Sequence, residues 1–368
     1  MRTATITFHA SHNYGSMLQA YALQHIVKAL GHDNEIINLR TDRQKYIYRS
    51  YATLPLLRRL VLQVFFHSKY AGALKKYQLY EDFLKNDLCL TAEYKDMEAI
   101  SRAGLDYDCY ISGGDQIWNT APRDFDWSFY LPFTTGKKIS YGVSMGPRGE
   151  EQVTQRDKVG QYLSDYTHIG VRENGTKAIV ESLTGKAATI TLDPVLLLPK
   201  EQWLEKYPQE PIIGGDYILI YSPRYDKGVY DIARRLGKKY GYKVISSINI
   251  HPKISLKGDL RGVTEHLATG PWEFLNLLQH AKFIVSGSFH AVVFSILFNK
   301  PFFAVNGDKD NRMRTTLENC GLMERTICEE DFEAKEAIAE ICDFTEANSY
   351  LKTEREKSIE FLKNSIEN

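Results

Sequence analysis

FIVSGSFHAVVFSILFNKP, Phe283 to Pro301, sets Gly287, Ser288 and His290 between two apolar runs. With Lys282 in front, KFIVS is short, β-branched and bounded by glycine, which predicts a buried strand. HAVVFSILFNK carries apolar residues all round a helical wheel and stops before Pro301, which predicts a buried helix. His290 then stands on the first turn of a helix that leaves the C-terminal end of a strand. Such a turn leaves backbone N–H groups unpaired and carries partial positive charge, which suits a phosphate or carboxylate. In open parallel sheets, ligands also gather at the C-terminal ends of the strands. The competing reading makes Ser288 a plain helix cap and His290 a satisfied core histidine.

Outward from this stretch, strand and helix patterns alternate, which predicts an α/β architecture with parallel sheets. TATITFH (3–9) reads as a first strand. After the loop ASHNYGS, residues 17–30 place Leu18, Ala22, Ile26 and Ala29 on one helical face. Further strands are predicted at 35–39, 107–112, 137–143, 167–172 and 187–192. Residues 193–215 carry four prolines and a Gly-Gly pair, the composition of a crossing between domains. A second alternation follows: a strand at 217–222, a helix over 227–240, a strand at 242–247, a helix from Pro271, KFIVS, the His290 helix, and PFFAV (301–305). The resulting division is a first Rossmann-like domain over 1–195, a linker over 196–215, a second Rossmann-like domain over 216–345 and a C-terminal helix over 346–368. Two doubly wound domains would then face a cleft. In the last segment, Leu351, Ile359, Leu362 and Ile366 lie on an apolar face available for docking.

Composition narrows the function classes. The chain has 368 residues, 43% hydrophobic and 25% charged, as in ordinary soluble globular proteins with room for two domains. Lys plus Arg equals Asp plus Glu at 46 each, so no global field recruits nucleic acid. The five cysteines, Cys89, Cys109, Cys320, Cys328 and Cys342, are scattered without metal-ligand spacing and read as reduced thiols. The N-terminus lacks a signal-peptide core, and no uncharged run reaches the ~18 residues of a membrane span. A cytoplasmic protein is expected.

Polar residues that look expensive cluster where the strands are predicted to end. SHNYGSMLQ supplies Asn13, Tyr14, Gly15 and Ser16, with Gly15 freeing the turn and Ser16 placed to cap the helix. ISGGDQIWN supplies Gly113, Gly114, Asp115, Gln116 and Trp118. The glycine pair lets a ligand approach the backbone, and Asp115 with the Trp118 indole could grip a sugar's hydroxyls and apolar face. Arg172, in VRE, ends a strand where a fixed guanidinium could take an oxyanion, or could pair with Glu173. NGDKDNR offers Lys309 and Arg312 in another such loop. Other matches are weak. The acid pair in DYD (106–108) precedes a strand, no dinucleotide-binding glycine fingerprint follows the first strand, and His9 and His12 lack a third metal ligand. No metal site is expected.

NYGSMLQAYALQ, SGGDQIWN, YGVSMG, VRE, LDPVLLL and SGSFHAVVFSILFNKPFFAV, in that order and spacing, resemble the polysaccharide pyruvyl transferase family over about Asn13 to Lys309. The resemblance implies a fold similar to B-type glycosyltransferases. It also implies transfer of pyruvate from phosphoenolpyruvate onto two sugar hydroxyls as a cyclic ketal. It gives Arg172 and His290 to the donor's phosphate and carboxylate, with Lys309 near the place of an assisting lysine. Where some members carry a first-loop aspartate, this chain has Asn13 or a neighbour. Asp115 is the candidate to receive a proton from the acceptor. On this reading there is no cofactor beyond phosphoenolpyruvate as donor substrate, and alanine at Arg172 or His290 removes turnover while the fold stays intact. The alternatives are a nucleotide-sugar glycosyltransferase and a non-catalytic glycan-binding member of the same fold.

One stretch stands outside the resemblance. Residues 40–80 hold nine Lys or Arg against a single acid, Asp42. Within it, LPLLRRLVLQVFF (54–66) spaces Leu56, Leu57, Leu60, Val61, Val64 and Phe65 as on a helix beside Arg58 and Arg59. This is the composition of an interfacial helix on an anionic inner membrane, near a lipid-linked acceptor; the competing reading is a helix packed on the first domain with a solvated basic face, or a dimer contact.

Overall fold

The computed structural model describes residues 1–48, 67–149, 153–223, 225–247, 260–339 and 341–368. The apolar and basic run from Leu56 to Phe65, including Arg58 and Arg59, lies outside the described residues.

Two parallel sheets organise the chain. The first contains β1 (Arg2–Ile6), β2 (Asp33–Leu39), β3 (Leu90–Tyr94), β4 (Cys109–Gly113), β5 (Lys137–Val143), β6 (His168–Val171) and β7 (Thr189–Ile190), in the spatial order β3-β2-β1-β4-β5-β6-β7. The second contains β8 (Tyr217–Tyr221), β9 (Lys243–Ser246), β10 (Thr264–Glu265), β11 (Phe283–Ser286), β12 (Phe302–Val305) and β13 (Thr326–Ile327), ordered β10-β9-β8-β11-β12-β13. The central strands CYISG, YILIY and FIVS are buried throughout because helices cover both sheet faces. In each sheet the strand order reverses once, between β1 and β4 and between β8 and β11. The loops after these strands open at the two switch points, where doubly wound folds hold ligands.

The first helix, Tyr14–Ala29, is buried on nearly every side because it packs against the second domain's helices Pro271–His280 and Phe289–Leu297. A one-sided apolar face was expected. The contact with the second domain covers the other sides as well, while Ala29 at the helix end is exposed. Asn13, rather than Ser16, is the cap: its side chain accepts from Gly15 N at 3.0 Å and Ser16 N at 3.3 Å. Tyr14 pins the two domains, donating its hydroxyl to the Ser247 carbonyl at 2.9 Å and stacking on Phe274 at 4.7 Å.

The C-terminal helix, Thr345–Glu367, starts before the expected segment and returns to the first domain. Leu351, Leu362 and Ile366 are buried, the Ser358 hydroxyl accepts from Leu192 N at 3.0 Å, and Lys137 Nζ donates to the Ile366 carbonyl at 2.9 Å. Phe361 lies over Gly170, where an added Cβ would stand 2.6 Å from its ring. No described helix is long and apolar enough to cross a membrane.

Candidate functional site

The two switch points face each other, and glycine permits the contact. A Cβ added to Gly15 would stand 2.2 Å from the His290 ring, so a larger residue on the first helix would push that ring away. On the neighbouring loop Gly114 has φ +65° and Asp115 φ +51°, both in the left-handed region. This turn aims the Asp115 carboxylate inward, where Oδ2 accepts from the Ser16 hydroxyl and Oδ1 from Gln116 N at 2.8 Å.

Arg172 follows β6 and holds the centre. One guanidinium nitrogen donates to Asp193; Nη2 lies 3.7 Å from Asp115, and Nε lies 3.7 Å from Glu173. The Phe289 ring lies 4.4 Å from its Cζ. His290 Nε2 stands 3.6 Å from Asp193 Oδ2. Arg312 reaches in from the second domain, its fork fixed on Asp310 at 2.9 and 2.6 Å, 5.5 Å from the Phe289 ring.

These charges set one another. Burial pushes the Asp115 carboxyl up, but the charges of His290 and Arg172 outweigh it and hold the group below its ordinary value. Asp193 is held down in the same way, well below the usual carboxylate range. Burial prevails at Glu173, whose pKa is raised despite Arg172. Arg172 Nε and Nη2, His290 Nε2 and Glu173 Oε2 are buried without a hydrogen-bond partner among the described residues. Buried donors left in this state are costly, and oxygens supplied by a bound anion would satisfy them.

Of the residues singled out from the sequence, Gly15, Ser16, Gly114, Asp115, Arg172 and His290 converge here. Ser288 occupies the N-cap position beside them, with its N–H on Ser286 Oγ at 3.0 Å and no side-chain capping bond. Others serve elsewhere. Trp118 is fully buried and stacked on Tyr130 at 5.6 Å, so its indole offers no face to a sugar. Gln116 accepts from Asn119 Nδ2 at 3.0 Å. Lys309 is exposed and donates to Asn306 at 2.9 Å; three residues on, Arg312 is the cation turned inward. His9 is spent on Asn38 at 3.0 Å. Asp193, Glu173 and Phe289 went unselected. The strongest signal available was an Asp-Pro pair at the entrance to the linker, where the Asp193 side chain also caps the turn at Val195 N.

In fold, the chain is similar to UDP-N-acetylglucosamine 2-epimerase from Rickettsia bellii, with 13% identity, a TM-score of 0.55, and coverage of 100% of this chain and 97% of the other. It is likewise similar to the UDP-GlcNAc 2-epimerase of Methanocaldococcus jannaschii, solved with UDP-GlcNAc and UDP, at 13% identity and TM-score 0.55 over 97% and 99% of the two chains. An alpha-glucosyltransferase in complex with UDP and DNA gives 11% identity and TM-score 0.51 over 98% and 95%. The two-domain fold expected from the sequence is therefore that of B-type glycosyltransferases and their relatives. No curated protein matches the chain. The profile of one family, described as polysaccharide pyruvyl transferase, covers residues 13–309, which include Asn13, the Gly114–Asp115 turn, Arg172, Asp193 and His290. With those residues gathered at one junction, the chain belongs to the polysaccharide pyruvyl transferase family.

Proposed function

We propose that this protein transfers pyruvate from phosphoenolpyruvate to two hydroxyls of a sugar in a surface-polysaccharide precursor, releasing phosphate and forming a cyclic ketal. The observation that carries the reading is the set of buried, unpartnered donors on Arg172 and His290 at the meeting of the two switch points. Arg172, Arg312 and the helix terminus at Ser288 hold the donor's phosphate and carboxylate. Arg312 fills the role first given to Lys309. The cavity beside the cluster, lined in part by Arg172, Asp193, Thr315 and Tyr350, measures about 20 Å³, so a donor must displace some of the ion pairs that now occupy Arg172.

In the reaction, His290 supplies the proton that turns the donor's methylene into a methyl group as the first sugar oxygen bonds to the adjacent carbon. The C–O bond to phosphate then breaks, its electron pair leaving with phosphate, and the second oxygen closes the ketal. Asp115, first considered as the base, is a weak one because its pKa is held down, and in this scheme it orients Ser16 and Arg172. No metal or other cofactor takes part. The work is cytoplasmic on this reading, and residues 40–80 give a peripheral contact with the inner membrane where a lipid-linked acceptor would be met. Three of the nine cations in that stretch already have partners or burial within the protein: Arg40 on Glu81, Lys45 on Glu93, and Lys76 in the core. Phosphate release from phosphoenolpyruvate that requires an added sugar tests the proposal. Release from a nucleotide sugar instead would overturn it.

A further inference from the structure

A larger cavity, about 430 Å³, opens on the first domain where the loop after β1 meets the end of β2. His12, Arg40, Asp42, Lys45 and the tyrosines Tyr46, Tyr48 and Tyr77 line it. The loop leads into the first helix, where four residues past His12 the Ser16 hydroxyl donates to Asp115. Burial, then the charges of Asp124 and Asp115, push the Tyr48 phenol up, so the cavity wall lies within the field of the ion cluster.

Its cations are paired inside the protein. Arg40 forks Glu81 at 3.0 and 2.8 Å, Lys45 Nζ lies 2.5 Å from Glu93, and the Tyr48 hydroxyl donates to Asp124. What remains for a ligand is tyrosine rings, fixed polar groups and the exposed Asp42 carboxylate, which accepts from hydroxyls. That combination suits a neutral ring with hydroxyls on its rim and an apolar face, as in a sugar.

His12 is the residue held most firmly. Its φ of +45° is in the left-handed region, a backbone state that persists when its surroundings enforce it. Its ring stacks on Tyr80 at 5.0 Å, meets Tyr77 edge-on at 5.1 Å, and places Nε2 2.9 Å from Glu81 Oε1. Burial raises the Glu81 carboxyl, but its bonds from His12 and Arg40 bring it down to about 2, so it stays ionised. A carboxylate at that distance requires the proton on Nε2, which leaves Nδ1 with a lone pair. Among the described residues, Nδ1 meets no hydrogen-bond partner and is not sealed from solvent.

We propose that this cavity is the acceptor's sugar subsite and that His12, oriented by Glu81, takes the proton from an acceptor hydroxyl. The inference rests on the pyruvyl-transfer reading above. The acceptor O–H bond breaks, its proton passing to Nδ1 and its electron pair forming the C–O bond. The donor's double-bond electrons take the proton delivered to the methylene carbon, and the proton of the second hydroxyl leaves with phosphate. Exchange with solvent restores both histidines.

The test uses saturation-transfer NMR with a panel of methyl glycosides, and calorimetry with phosphoenolpyruvate, on wild type, Tyr77→Ala and His12→Gln. At least one glycoside should show transfer to wild type, with affinity falling about tenfold or more in Tyr77→Ala. In His12→Gln, binding of that glycoside should hold while kcat falls about 100-fold with KM little changed. Phosphoenolpyruvate affinity should be the same in all three proteins. Tyr46→Ala, at a ring whose residue is 64% exposed, keeps the test decisive should Tyr77→Ala fold poorly. The inference is overturned by no glycoside transfer to wild type, by equal transfer to the cavity variants, or by wild-type turnover in His12→Gln. Failure of phosphoenolpyruvate to bind wild type would sink the pyruvyl-transfer reading instead, and glycoside binding would still decide the cavity.

Discussion

Replacing Lys76 with methionine should stabilise the protein near neutral pH and flatten its stability between neutral and alkaline pH. Lys76 lies in the helix His67–Asp87, 9% exposed, with Nζ 3.4 Å from the Ser247 carbonyl and 4.9 Å from the Tyr14 ring centre. No carboxylate charge among the described residues offsets its burial, which pushes the ammonium down from 10.5 to about 7. An unfolded lysine titrates near ~10.4, so between about pH 7 and pH 10 the unfolded chain holds the extra proton and stability rises with pH. Over the roughly 2.5 units from pH 7 to pH 9.5 the rise is on the order of 3.5 kcal/mol, at about 1.4 kcal/mol per unit. Attraction of the cation to the faces of Tyr14 and Tyr80 opposes it by about 1–2 kcal/mol, leaving a net rise of about 2 kcal/mol. Methionine fills similar space without the charge, and Ser247 keeps the Tyr14 hydroxyl as a donor. Urea midpoints of both proteins at pH 6.5 and 9.5 measure the effect. The advantage of Lys76→Met should shrink by about 2 kcal/mol at the higher pH. A pH-independent difference, or a variant less stable than wild type at pH 6.5, would refute the reasoning.

Gly15→Ala must move the His290 ring from 2.2 Å to at least the 3.4 Å of ordinary contact. Overpacking of about 1–3 kcal/mol should offset any gain in helix propensity, and phosphoenolpyruvate affinity should fall; unchanged melting and affinity would show that the ring is not held there. Arg172→Met should abolish donor binding and also cost about 3–5 kcal/mol in urea denaturation, because Asp193 and Asp115 lose their buried cation; the sequence reading had expected an intact fold. Turnover should survive chelator and gain nothing from added magnesium, measured as phosphate release. The protein should sediment with anionic but not neutral liposomes, relieved by salt and weakened by Arg58→Glu with Arg59→Glu; equal recovery in both supernatants would leave residues 40–80 without a membrane role.

The architecture was legible wherever burial on both sheet faces wrote continuous apolar runs. YILIY and FIVS lie within predicted strands, and the helix Lys227–Tyr240 was read with its bounds as found. β3 was missed because it is only half-buried and LTAEY carries no clean alternation. Within the site, the loops were legible through glycine and through polar residues at strand ends. The carboxylates that set Arg172 were less so, because the approach of Asp115 and Asp193 to it follows from the register of β4, β5, β6 and β7 and not from any spacing along the chain. Trp118 misled for the converse reason: an aromatic after a Gly-Gly turn looks available, and only the packing against Tyr130 closes it.

The return of the C-terminal helix to the first domain bears on how the protein is made. His32 Nε2 stands 3.6 Å from Glu367, and Ser358 serves the backbone at Leu192, so the first sheet is covered by residues synthesised after the whole second domain. The N-terminal half therefore cannot finish folding as it emerges, and must wait with the face beside β5 and β6 uncovered until residues 345–367 have followed the second domain. A chain stopped near residue 345 would keep every residue of the ion cluster and still lack part of the scaffold that holds β6, and Arg172 beyond it, in register.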